Sequence, residues 1–263
     1  MNTLYPFMHY AAPFALILAR ISGVFLFTPL LSGSTLPVRA RAMIALSLSA
    51  AVFSFGPEAV RELPRLDLVT YVPLMFSEVL LGASIGLIGG LPLLLIQLAG
   101  YLMGYQMGLS IAQTFNPSVE SQGDVAGQLL FYLGVSVYVT LGGLDFLFLT
   151  LLNTYDNVPM GAFSADMTPV DLLVGVIHGG FEMALSVAAP VLGIITLLLI
   201  AMGFIMKTMP QVNVLSIGFS AKILCGLLML TFTIFLVAEI TQDETVRVLT
   251  AVRDWAESLR PHN

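Results

Sequence analysis

Charge is what this sequence has least of. Asp, Glu, Lys and Arg together supply 10% of its 263 residues, against about a quarter in an ordinary soluble domain. Between Arg65 and Lys207 there is no Lys or Arg, while acidic residues continue through the interval. The net charge of -6 is acidic, and nucleic acid is not an expected partner. Histidine is equally scarce and scattered, at His9, His178 and His262, and the one cysteine is Cys225. No Ser-His-Asp order, HExxH, Walker A or paired-cysteine motif can be assembled from these residues. The sequence therefore predicts no catalytic residue, no metal site, no cofactor and no internal disulfide. Cys225, within an apolar stretch, reads as a small buried hydrophobe.

What the sequence does have is apolar length. It is 57% hydrophobic, and residues 7–31, 71–98, 127–152, 172–206 and 212–240 each meet the roughly 20 apolar residues that a helix needs to cross a bilayer. The run 40–55 is shorter and predicts a partial or buried helix. The runs are continuous and lack the alternation of a membrane barrel. The expected fold is an all-α membrane protein of about five to six long, Gly/Pro-interrupted helices. The opening MNTLYPFMHYAAPF has no basic region or clear cleavage site, so the first apolar stretch is expected to stay in the mature protein.

Proline and glycine punctuate these runs. Pro29 and Pro37 flank the first turn region, Pro73 and Pro92 are expected to bracket a helix, and Pro190 falls inside another. In lipid such breaks need neighbouring protein or water to satisfy the freed backbone groups. Gly82, Gly86 and Gly90 recur at every fourth position, as do Gly100, Gly104 and Gly108, making smooth ridges on which another helix can approach closely. The second ridge belongs to AGYLMGYQMGLSIAQTFNPSVESQG, residues 99–123. In it Met103 and Met107 share a helical face, suited either to core filling or to a yielding seal. Pro117 lacks an amide hydrogen and restricts Asn116, so the helix should end at or before that pair.

Charges inside the apolar runs are few: Arg20, Glu78, Asp145, Glu182 and Lys222. Each is costly to bury alone, and Arg20 with Glu78 is a candidate ion pair. Residues 172–241 read as a helical hairpin around the polar corner KTMPQVN. Beyond it, Val246, Leu249, Val252, Trp255 and Leu259 fall roughly on one face of an amphipathic tail. The basic ends near Arg39–Arg65 and Lys207–Lys222 point to the cytoplasm and the acidic segment NTYDNVPMGAFSADMTPVD outside. A simple final crossing then puts Arg247, Arg253 and Arg260 on the wrong side.

Three stretches together resemble the FliR family, the R subunits of type III export gates. They are ARISGVFLFTPLLSGSTLPVRARAMIALSLS, then SEVLLGASIG with the glycine-methionine stretch quoted above, and MPQVNVLSIGFSAKILCGL. The likeness covers nearly the whole chain. The segment around Leu144, Asp145 and Thr154 is the looser part, and no role is carried over to Asp145.

The resemblance implies a nonenzymatic structural and gating subunit that conducts unfolded flagellar proteins across the bacterial inner membrane, within the flagellar basal body. Its implied partners are the P and Q subunits, the B subunit at the entrance, the basal body ring and the exported chains. Residues 1–171 would be P-like, with a plug loop near 113–122; residues 172–241 would be a Q-like hairpin, and 242–263 the amphipathic tail. The gate and plug would use Met103, Met107, Gln113, Phe115, Asn116, Pro117, Ser118, Glu120 and Gln122. Subunit packing would use Gly82, Gly86, Gly100, Gly104, Gly108, Pro210, Gln211, Asn213, Gly218, Phe219 and Lys222. Hydrophobic helices covered by neighbouring subunits and raised out of the bilayer plane would remove the topological conflict. The alternatives are a virulence injectisome gate and a small-solute transporter using Glu78, Asp145 or Glu182. The transporter's expected pair of broken helices in two related halves is not evident.

Overall fold

A computed structural model describes residues 5–33, 37–55, 68–109, 125–208 and 214–260. Among these residues there is no strand. Runs of Leu, Ile, Ala, Met and Gly that cannot give their backbone groups to water satisfy them within the segment, and a helix does this locally. In chain order the helices are α1 (Tyr5–Phe27), α2 (Pro29–Ser32), α3 (Val38–Phe55), α4 (Leu68–Met107), α5 (Val125–Thr140), α6 (Gly143–Asn157), α7 (Val170–Thr208) and α8 (Val214–Ser258), with a 3-10 turn at Ala165–Met167. Five of them are long and apolar enough to cross a membrane, or six spans if the bent pair α5–α6 counts as one. The chain is an all-α membrane protein.

Three boundaries differ from those the sequence predicts. Pro73 and Pro92 do not bracket a helix: α4 runs through both for 40 residues. Pro92 removes only the bond that its amide would have made to the carbonyl four residues back, and long apolar runs on either side carry the helix across. The run 127–152 is not one helix either, because α5 and α6 meet at a 59° bend. There Gly142 takes φ +70, a left-handed conformation natural to glycine. The amphipathic tail, finally, is no separate element. From Leu227 to Arg260 the sequence holds neither glycine nor proline, and α8 continues unbroken for 45 residues, about 68 Å at 1.5 Å per residue.

The chain divides into two compact units, each discontinuous in sequence. One comprises residues 1–91, 142–176 and 245–263, the other 92–141 and 177–244. In the first, α1 crosses the early part of α4 on glycine. A Cβ at Gly23 would stand 2.5 Å from the Val79 carbonyl oxygen, one at Gly86 would stand 2.8 Å from that of Val24, and one at Gly90 would overlap Pro29. Leu16, Ile17, Val24, Leu81, Ile85 and Leu147 are wholly buried here.

In the second unit, the later part of α4 lies against α5. A Cβ at Gly100 would come within 2.5 Å of the Ala126 carbonyl and the Gly127 Cα. Gly134 faces the Ile96 side chain, and Gly180 of α7 faces Leu95. Burial is very uneven among the spans: 78% for α4 but only 17% for α3 and 22% for α8. So α4 is covered by the chain itself, whereas α3 and α8 present apolar sides such as Met43, Phe232 and Phe235 outward.

Candidate functional site

The most elaborate polar arrangement among the described residues is built on Arg20 and Glu78, both with no exposed side-chain surface. Arg20 lies two-thirds of the way along α1 and Glu78 early in α4, brought together by the glycine crossing just described. Arg20 Nε donates to Glu78 Oε2 at 2.5 Å. Its Nη1 donates to the carbonyl and hydroxyl oxygens of Thr154, both at 3.1 Å, and its Nη2 to the Val158 carbonyl at 3.4 Å. The guanidinium carbon stands 4.5 Å from the centre of the Tyr155 ring, while the Tyr155 hydroxyl donates to the Ile17 carbonyl at 3.3 Å.

The other carboxylate oxygen is used as fully. Glu78 Oε1 accepts the Gly161 amide at 2.7 Å. Gly161 has φ +76, and the Ala162 amide closes back on the Pro159 carbonyl at 3.0 Å. That is a type II turn, whose third position calls for glycine. Glu78 therefore holds the exit of α6 through this turn while Arg20 takes up the last carbonyls of α6. A helix C-terminus carries unpaired carbonyls and partial negative charge, so a guanidinium there is doubly favourable. Desolvating two ions costs several kcal/mol each; here both are offset by mutual attraction and by bonds to every charged nitrogen and oxygen. With no surface on either residue, the pair holds structure together and cannot touch a passing chain.

Met103 and Met107, expected at a yielding seal, are wholly buried inside the chain. The Met107 side chain packs on Gly226 of α8, where a Cβ would lie 2.7 Å from its Cγ. Their described surroundings are thus those of core residues. Gly82, Gly86 and Gly100, expected to face other subunits, spend their smooth faces on contacts within this chain. Gly108 has a different task from packing. It takes φ +84, its amide reaches the Tyr105 carbonyl, and the next amide, of Leu109, reaches that of Gly104. That paired closure is the Schellman ending of a helix, and it stops α4 at Met107, ten residues before Pro117.

Gly218 lies near the Met202 Cε, Phe219 is exposed and Lys222 half-buried on α8. Asp145 sits in the first turn of α6, where a carboxylate suits the helix dipole. Glu182 pairs with His178 one turn away, 3.5 Å apart on the surface of α7. Gln113, Phe115, Asn116, Pro117, Ser118, Glu120, Gln122, Pro210, Gln211 and Asn213 lie outside the described residues.

Sequence reasoning found the pair at the centre of this hub but missed Thr154, Val158 and Gly161 around it. Pro159 followed two residues later by Gly161 does signal a turn. Nothing in the string says that the turn's amide meets a carboxylate 83 positions earlier.

Residues 11–248 match the model of a family described as bacterial export proteins, family 1. The chain belongs to this family. Relatives include the flagellar biosynthetic protein FliR of Bacillus subtilis, 28% identical over 255 residues that cover 91% of this chain and 95% of the relative. FliR of Aquifex aeolicus is 27% identical, with 81% and 82% covered. Yop proteins translocation protein T of Yersinia pestis is 27% identical, with 80% of each chain covered. As a FliR-type family member the chain is a type III export-gate subunit, an inner-membrane protein that belongs to an apparatus with other export components.

Proposed function

We propose that this subunit is a nonenzymatic part of the flagellar gate, located in the basal body. There it assembles with P-type, Q-type and B-type subunits and gates the passage of unfolded flagellar proteins. The observation that carries the reading is the family match over residues 11–248, in a chain whose α3 and α8 turn apolar sides outward far beyond what it covers for itself. Neighbouring helices of the gate are the cover proposed for those sides.

The gating part is the connection between α4 and α5. Gly100 packs against Ala126 and Gly127, so α5 begins alongside a point only seven residues, about 10 Å of helix, before α4 ends. Residues 113–122, with Asn116 and Pro117, are the proposed plug. Deleting 113–122 is expected to leave the gate assembled but leaky, read as ion conductance of membranes carrying the complex; unchanged conductance would remove the plug. Loss of the subunit should abolish secretion of flagellar proteins and leave effector secretion intact, and the opposite result would assign it to an injectisome.

A further inference from the structure

Residues 245–260, the last turns of α8 and the two residues after them, differ sharply from the rest of that helix. Between Ile217 and Leu236 many side chains are exposed, whereas Val248, Leu249, Val252 and Ala256 are buried. The residues that this stretch is seen to meet belong to the same unit as Arg20. Trp255 meets Phe163 edge to face, with centroids 6.4 Å apart, and its indole N–H donates to the Met167 carbonyl at 3.3 Å. The Arg253 guanidinium lies 5.8 Å from the centre of the Phe146 ring.

The deepest contact is at Asn157, which is 3% exposed. Its amide nitrogen donates to the Ala256 carbonyl at 3.5 Å, and its oxygen accepts Arg260 Nε at 2.7 Å. Asn157 is the last residue of α6, lying between Thr154 and Val158, whose carbonyls hold Arg20. Two arginines from opposite ends of the chain thus converge on one helix end, Arg20 directly and Arg260 through Asn157. Orphan carbonyls and partial negative charge favour both.

We propose that residues 245–260 form a strap that clamps the end of α6 and so keeps Arg20 seated against Glu78. The strap follows the other two segments of its unit in the chain and packs back onto the second of them. Without it the final turn of α6 is free to fray, and Arg20 loses the acceptors on Thr154 and Val158 while remaining a buried charge. That loss is expensive, because a buried ion tolerates removal of its partners poorly.

The test uses the full chain in membranes with its partners, in a Cys225→Ser background carrying one reporter, Val158→Cys. Val158 is 3% exposed, and the reporter keeps the backbone carbonyl that Arg20 uses. With the strap intact, a small maleimide should label it slowly. Trp255→Ala and the milder Arg260→Gln should each raise the labelling rate tenfold or more, Arg260→Lys should raise it less, and Glu78→Gln should raise it with the strap unaltered. A control reporter, Leu130→Cys, is wholly buried in the other unit and should stay slow throughout. Unchanged labelling at position 158 in both strap variants overturns the proposal. So does an equal rise at position 130, which would mean general unfolding.

Discussion

The Arg20 carbonyl oxygen lies so close to Gly82 that a methyl group on that glycine would overlap it. Both partners in the clash are backbone, so neither can swing aside, and α1 and α4 must separate to admit even alanine. Two effects oppose each other in Gly82→Ala. Alanine favours the helix by about 1 kcal/mol, while overpacking costs about 1–3 kcal/mol and also pulls Arg20 away from Glu78. The clash should win, lowering the thermal midpoint of the detergent-purified complex by several degrees. Gly193→Ala is the internal comparison: among the described residues nothing stands within 4 Å of its would-be Cβ, so only the favourable helix term remains and the midpoint should hold or rise. Equal midpoints for the two variants would deny the crossing its importance.

How much of this could be read from the string differs from residue to residue. Helical class, span count and the Arg20–Glu78 pair follow from local rules, because apolar length, the absence of alternation and the cost of a buried charge are all visible in sequence. The glycine ladders were visible too, but not what they face. Spacing by four says that a helix can come close and is silent on whether that helix belongs to the same chain, as α1 does at Gly82. Gly108 was legible as a member of a row and not as a helix ending, since only φ +84 separates those roles. The 59° bend at Gly142 and the unbroken run of α8 through residue 258 are decided by backbone conformation and by the absence of breakers, both weaker signals than hydropathy.

Removing one partner of the buried pair should hurt more than removing both. Glu78→Gln strands the Arg20 cation against neutral groups, and a stranded buried ion costs about 3–5 kcal/mol. The double variant Arg20→Met with Glu78→Leu deletes the desolvation cost along with the attraction, leaving unmade bonds at Thr154, Val158 and Gly161. Folded protein recovered from membranes should therefore fall in the order wild type, double variant, Glu78→Gln. Recovery of the double variant below that of Glu78→Gln would show that the pair contributes net stability through the bonds around it and not through charge matching.

Gly161 offers a cleaner separation of backbone and packing terms. With φ +76, any L-residue there incurs a left-handed penalty of about 1–2 kcal/mol, and its Cβ would also overlap the Leu74 side chain. Gly161→Ala should accordingly destabilise the protein, and adding Leu74→Ala should relieve only the steric part. Full rescue by Leu74→Ala, read as recovery of the thermal midpoint, would mean that the turn tolerates alanine and that the positive φ is not required for the amide to reach Glu78.

The docking of Trp255 on Phe163 and Met167 also decides a question of sidedness. Counting basic residues places the acidic segment 153–171 outside and draws the tail, with Arg247, Arg253 and Arg260, towards the cytoplasm. Packing allows no such separation: an indole N–H bonded to the Met167 carbonyl at 3.3 Å must lie on the same side as that carbonyl. The arginines are engaged within the chain, Arg253 near Asp254 and Glu257 and Arg260 on Asn157, so their pull on orientation is met locally. Single cysteines at exposed Ser164 and at Glu257, whose side chain is 51% exposed, should therefore react with a membrane-impermeant maleimide from one and the same side, in intact cells or only after permeabilisation. Labelling from opposite sides would show that the tail leaves α6 in the membrane, and that the basic-residue rule outweighs the contacts around Trp255.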